Sequence, residues 1–179
     1  MLRYLAALPF ALPAFALGAT IAGIVSRRFG RQIHEHPAVV FLWLASLSLI
    51  LAATLTPSSQ AFEAHEGLRT TRVWIWSLPS PGALTHVNWQ SMNLLLFAPA
   101  GFASGLYSGR RNVMLFGSLA LLSSLAVEVV QYLLIPLGRA QFNSATVIIG
   151  WIGITVGVLV GVLVSALYRR GRSRATAPA

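Results

Sequence analysis

Five long apolar stretches, each closed by arginines, a proline or a short polar link, constrain this chain more than any other feature. They run about Leu5 to Val25, Ala38 to Leu55, Ser91 to Tyr107, Val113 to Leu134 and Ala145 to Tyr168. A hydrocarbon core of roughly 30 Å needs about 20 apolar residues in a helix to cross it. Backbone polar groups find no water there, and none of the stretches alternates like a membrane barrel strand, so helices are expected. Composition agrees: 56% of the 179 residues are apolar and only 9% are charged. A soluble domain carries about a quarter charged residues. The expected fold is an all-α, polytopic membrane bundle of about five helices, filling residues 1–168 as one domain. A basic tail, 169–179, reads as disordered and cytoplasmic.

The charges orient it. The chain has 13 Arg and no Lys, against four Glu and no Asp, for a net charge of +9. Nine Arg (27, 28, 31, 110, 111, 169, 170, 172 and 174) fall on one side if five helices are counted, and mark it as cytoplasmic. Arg3, Arg69, Arg72 and Arg139 fall on the other, offset by Glu63 and Glu66. The N-terminus is therefore expected outside and the C-terminus inside a bacterial inner or plasma membrane. The segment from Pro57 to Gln90 is expected outside, with Trp74, Trp76 and Trp89 at headgroup level. Arg clusters between apolar runs fit membrane lipid rather than nucleic acid as partner. Arg3 and Ala14-Phe15-Ala16 resemble a signal peptide, but the apolar run continues to Val25 and the stronger Arg cluster follows it, so a retained helix is favoured.

Glu128 is the only acid inside an apolar stretch. A charge at mid-membrane costs about 2.5–3.5 kcal/mol on insertion scales, so it must face protein or a wet recess. It is expected roughly 9–10 Å below the outer end of the fourth helix. Gln131 shares its helix face, which continues as Gly117, Ala120 and Ser124, a small-residue stripe suited to close packing. Asn93, Arg139 and Asn143 belong to the same outer level. Two readings are open. In one, Asn93, Glu128, Gln131, Arg139 and Asn143 form an outward polar pocket that binds a ligand. In the other, Glu128 and Arg139 are a fixed ion pair and Asn93 is a helix cap. Pro99 should kink the third helix by freeing the carbonyl of Leu95. Gly153, Gly157, Gly161 and Ser165 make a ridge for close packing, within the chain by preference and in a homodimer otherwise; Gly101, Gly105 and Gly109 make a weaker one.

Catalytic signatures fail. There is no Cys, no HExxH and no Asp pair. Both Gly-rich serine segments near Ser104 and Ser108 have one residue too many for the Gly-x-Ser-Gly of rhomboid-type proteases. His34, His36, His65 and His86 form no ligand motif, so neither metal nor cofactor is expected.

The segment Asn93-Leu94-Leu95-Leu96-Phe97-Ala98-Pro99-Ala100-Gly101-Phe102 resembles the N-x-L-L-F-x-P-x-G-F run of VanZ-like membrane proteins. Ser124 through Gln131 resembles their S-x-x-x-E-x-x-Q helix. Leu55-Thr56-Pro57, Arg139, Gly153 and Gly157 follow in similar order, so the resemblance spans about residues 51–161. It points to Asn93, Phe97, Pro99, Gly101, Glu128, Gln131 and Arg139. Where the family usually has acids after the Arg and an Asn early in the last helix, this chain has Asn143, Thr146 and Gly150. The family is named for a protein associated with teicoplanin resistance. The resemblance therefore implies an envelope protein meeting a lipid, a cell-wall precursor or a glycopeptide. An enzyme acting on a lipid-linked substrate and a small transporter or accessory subunit are the alternatives, with catalysis disfavoured by the missing second acid.

Overall fold

The computed structural model describes residues 8–57, 73–80, 82, 88–134 and 141–175. Arg139, Glu63, Glu66, His65 and His86 lie outside the described residues. Five helices form: α1 (Ala11–Gln32), α2 (Pro37–Leu55), α3 (Trp89–Gly105), α4 (Arg110–Leu133) and α5 (Ser144–Ala175). Two short strands, β1 (Val73–Ile75) and β2 (Gln141–Asn143), pair in parallel, with Trp74 opposite Phe142. The protein is a membrane-embedded helical bundle. On length and composition α2, α4 and residues 144–171 of α5 each suffice to cross a membrane. Helix α3, with 17 residues, is about 25 Å long. Helix α1 takes Arg27, Arg28 and Arg31 into its last turns. Leucines and valines of α4 and α5 such as Leu119, Leu122, Val156, Leu159 and Leu163 stand exposed on the outside, as a lipid-facing surface requires.

Successive helices alternate in direction, so α3 and α5 run parallel. They pack backbone to backbone. A Cβ placed on Gly101 would collide with the carbonyl oxygen of Ile154, one on Gly105 with that of Val158, one on Gly157 with that of Ala98, and one on Gly161 with that of Phe102. The ridge of Gly153, Gly157 and Gly161 thus serves packing inside the chain. Gly109 does not belong to the α3 ridge, because the helix ends at Gly105 and Gly109 opens α4. Helix α3 runs unbroken through Pro99. The stripe on α4 also packs inward: Ser124 lies beneath Gly150 of α5, and Gly117 faces Val158.

Two apolar clusters fill the bundle. Ile50, Phe97, Ala100, Ala120, Val127 and Ile154 form the middle. Val40, Trp43, Ala103, Tyr107 and Phe116 form the Arg-rich end. The Trp43 indole donates to Ser104 Oγ at 3.1 Å, which in turn donates to the carbonyl of Ala100 at 2.8 Å. Tyr107 stacks on Phe116 with centroids 4.3 Å apart.

At that end α1 stops in a Schellman turn. Glu35 N–H donates to Gly30 O at 2.9 Å and His34 N–H to Arg31 O at 3.4 Å. His34 takes the left-handed position with φ 57°, a region where His is enriched among non-glycine residues. The turn aims Glu35 inward, where its carboxylate accepts from Ser108 N–H at 3.1 Å, Ser108 Oγ at 2.8 Å and Asn112 Nδ2 at 2.7 Å. His34 and His36 stay exposed, and His36 Nδ1 caps α2 by accepting from Ala38 N–H. The tail corrects the expectation of disorder from residue 169. Once nucleated, α5 propagates through Arg170 and beyond to Ala175, since adding a residue to an existing helix is cheap.

Replacing Gly157 by Ala should destabilise the protein by about 1–3 kcal/mol, because its Cβ meets backbone that cannot give way. Gly171→Ala meets nothing within 4 Å and should be neutral or slightly stabilising. Thermal unfolding in detergent compares the two.

The Tyr107 hydroxyl is buried without a hydrogen-bond partner among the described residues. Burial, and secondarily the Glu35 charge, push its pKa well above the ordinary 10.0. The folded state therefore holds this proton while the unfolded chain loses it. Stability should be unaffected below about pH 10 and fall as pH rises further. Tyr107→Phe should flatten the alkaline side of a Tm-against-pH curve and cost nothing near neutrality.

Candidate functional site

At the end opposite the arginine cluster, α2, α3, α4 and α5 surround a cavity of about 530 Å³. Its polar groups are Thr54, Asn93, Ser124, Glu128, Gln131, Asn143 and Thr146. Met92, Leu96, Phe97 and Val127 supply apolar wall, and Trp89, half exposed, stands at the edge. Four of the five residues singled out for a polar pocket thus border one space. The fifth, Arg139, lies outside the described residues.

Each side chain is placed by its element. Glu128 and Gln131 sit one turn apart on α4 and point inward, 4% and 8% exposed. Glu128 is five residues from the end of α4, about 7.5 Å, slightly less deep than expected because the helix stops at Leu133. Its Oε2 accepts from Asn143 N–H at 2.9 Å. Asn143 caps α5, its Oδ1 accepting from Ala145 N–H at 3.0 Å. The carboxylate therefore meets the positive end of the α5 dipole, a favourable place for an anion. Gln131 Nε2 donates to the carbonyl of Thr54 at 2.8 Å. That carbonyl lies in the last turn of α2, where the helix ends before Pro57 and intrahelical donors run out. Asn93 is not a helix cap. It lies inside α3, whose cap is Asn88: Asn88 Oδ1 accepts from Gln90 and Ser91 N–H, and Ser91 Oγ accepts from Asn88 N–H. The amide of Asn93 has no hydrogen bond among the described residues, although it borders the cavity.

A strap over the site was not expected from the sequence. β1 lies along β2, and Trp74 stacks on Phe142 with centroids 4.1 Å apart and an angle of 16°. Ser77 N–H donates to Ser144 Oγ at 2.9 Å, Ser144 Oγ donates to Ser77 O at 2.8 Å, and Ser77 Oγ donates to Asn143 Oδ1 at 2.9 Å. The segment 73–80 is thereby tied to the start of α5. Trp76 is exposed beside it. Three-residue strands carry no periodicity to detect, whereas the cap at Asn88 had a signal in its Asn-x-x-Ser spacing. Thr54 and Thr146 were also missed, since nothing in sequence brings them together.

The lining combines hydrogen-bonding groups with aliphatic and aromatic surface, a pattern suited to an amphipathic molecule. Among the described residues Glu128 is the only carboxylate on the cavity, and no group of three His or acidic side chains could hold a metal. Comparison with protein-family models, curated proteins and solved structures finds no match for this chain.

Glu128→Ala would leave the Asn143 N–H without its acceptor and should cost about 1–3 kcal/mol. Glu128→Gln keeps an acceptor oxygen and should cost less. Unfolding midpoints of the two variants in the same detergent give the comparison.

Proposed function

We propose that this protein is a VanZ-like integral membrane protein of the bacterial cell envelope. It binds the lipid-bearing part of an envelope molecule, a cell-wall precursor or a lipidated glycopeptide, in the cavity beside Glu128. The cavity opens outward, the N-terminus lies outside, and the C-terminus lies in the cytoplasm of a cell bounded by an inner or plasma membrane. One observation carries the reading: Asn93, Glu128, Gln131 and Asn143 converge on a single space at the arginine-poor end, among apolar side chains that share its lining. Arginine-rich ends stay on the cytoplasmic side of membrane proteins, which supports an outward cavity. The order of motifs from Asn93 to Gly157 supports the family reading. Binding is favoured over turnover by the single carboxylate, which is already engaged by Asn143 N–H.

Asn93 is the informative position, because its amide lines the cavity without holding the fold together. Expression in a teicoplanin-sensitive host should raise the teicoplanin concentration needed to stop growth and leave the vancomycin value unchanged. Asn93→Ala should abolish the rise while retaining wild-type protein level and Tm. Orientation is checked in the same cells, since the chain has no Cys. A cysteine introduced at Trp76 should react with an impermeant maleimide added outside, and one at Tyr168 should not. No teicoplanin shift, or labelling with the opposite sidedness, would sink the reading.

A further inference from the structure

The arginine-rich end carries a second recess, between the α3–α4 turn and α5. It measures about 220 Å³ and is bordered by Tyr107, Ser108, Arg110, Val113, Val162 and Arg169. Two arginines and two valines share its lining. The local charge is far from balanced. Arg27, Arg28, Arg31, Arg110, Arg111 and Arg169 gather at this end. Among the described residues the one carboxylate there, Glu35, is buried and spends its oxygens on Ser108 and Asn112, both neutral. Among the described residues Arg169 reaches only the carbonyl of Ser108, at 3.3 Å. The positive charge at the recess is therefore not neutralised by the described residues. Helix α4 begins beside it at Gly109, which has no side chain to cap the first N–H groups. Tyr107, 1% exposed, closes the inner side.

We propose that this recess binds the phosphate of an anionic phospholipid from the cytoplasmic leaflet, with Arg110 and Arg169 as its ligands and an acyl chain lying against Val113 and Val162. The site is distinct from the outward cavity and does not depend on what that cavity holds. A phosphodiester supplies the missing negative charge, and guanidinium groups bind phosphate oxygens in paired geometry. The valine wall selects a phosphate attached to hydrocarbon over a free one. Basic pockets between membrane helices on the cytoplasmic side have this chemistry.

The test uses the full chain, delipidated in non-ionic detergent, with palmitoyl-oleoyl phosphatidylglycerol and the matching phosphatidylcholine as probes. Native mass spectrometry reads the bound fraction. A single phosphatidylglycerol adduct should form in preference to phosphatidylcholine. Arg110→Gln with Arg169→Gln should weaken it by roughly tenfold or more. Arg27→Gln with Arg28→Gln removes equal charge from the same end outside the recess and should leave the adduct largely intact. Arg110→Lys with Arg169→Lys should restore the preference, which separates lost charge from lost fold. Equal binding of the two lipids, or equal loss in both glutamine pairs, would overturn the site. Displacement of the lipid by millimolar inorganic phosphate would overturn the lipid assignment in favour of a soluble anion.

Discussion

The close approach of α3 to α5 determines what the rest of the bundle can do. Five glycines let two parallel helices meet at their backbones, with no side chain between them at Gly101, Gly105, Gly153, Gly157 and Gly161. Within hydrocarbon, apolar side chains gain little by leaving lipid for a neighbour, so packing and short polar contacts must hold helices together. Being parallel, α3 and α5 start at the same level. That places Asn93 and the Asn143 cap at one end of the molecule, and the arginines in the last turns of α5 toward the α3–α4 turn at the other. A bulkier residue at Gly157 would widen both ends at once.

The two ends solve the same problem differently. Helix termini expose backbone groups that need partners. At the cavity end, side chains supply them: Gln131 satisfies a carbonyl of α2, Glu128 takes the first N–H beside α5, and Asn88 and Asn143 cap two helices. At the arginine-rich end a single buried carboxylate, Glu35, ties the α1–α2 turn to the α3–α4 turn. Glu128, Gln131 and Asn143 thus both close the fold and border the cavity, whereas Asn88 and Glu35 hold helix ends without lining either recess. Glu128 and Gln131 hold helix ends and line the cavity at once, whereas Asn93, Thr146 and Arg110 border their recesses with no side-chain hydrogen bond among the described residues.

Much of this was legible in the sequence, for identifiable reasons. Apolar length and arginine placement yield five helices and their order, because hydrocarbon leaves so few alternatives. Glu128 stood out because an acid in an apolar run has to be accommodated by neighbours. The glycine ridge was readable as packing, with its partner settled only by the α3–α5 contact. Other features depend on tertiary proximity. The pairing of residues 73–75 with 141–143 joins short segments 68 positions apart. The role of Glu35 was hidden because its partners, Ser108 and Asn112, are more than 70 residues away in the chain. Of the two readings open for Asn93, the cap fails because Asn88 has the capping position and the better spacing, and Asn93 borders the cavity instead.

An acid at membrane depth suggests chemistry only if its oxygens are available to a substrate. Here one oxygen is already engaged by the Asn143 N–H, at a helix terminus that itself favours a negative charge. Moving that carboxylate would disturb the start of α5, and with it the strap formed by Trp74, Phe142 and Ser77. A general acid or base has to exchange protons during each turnover without unsettling its support. A recognition site has the opposite need, a fixed polar edge that a ligand can meet. The linkage of Glu128 to a helix cap, and of that cap to a surface strap, fits the second requirement.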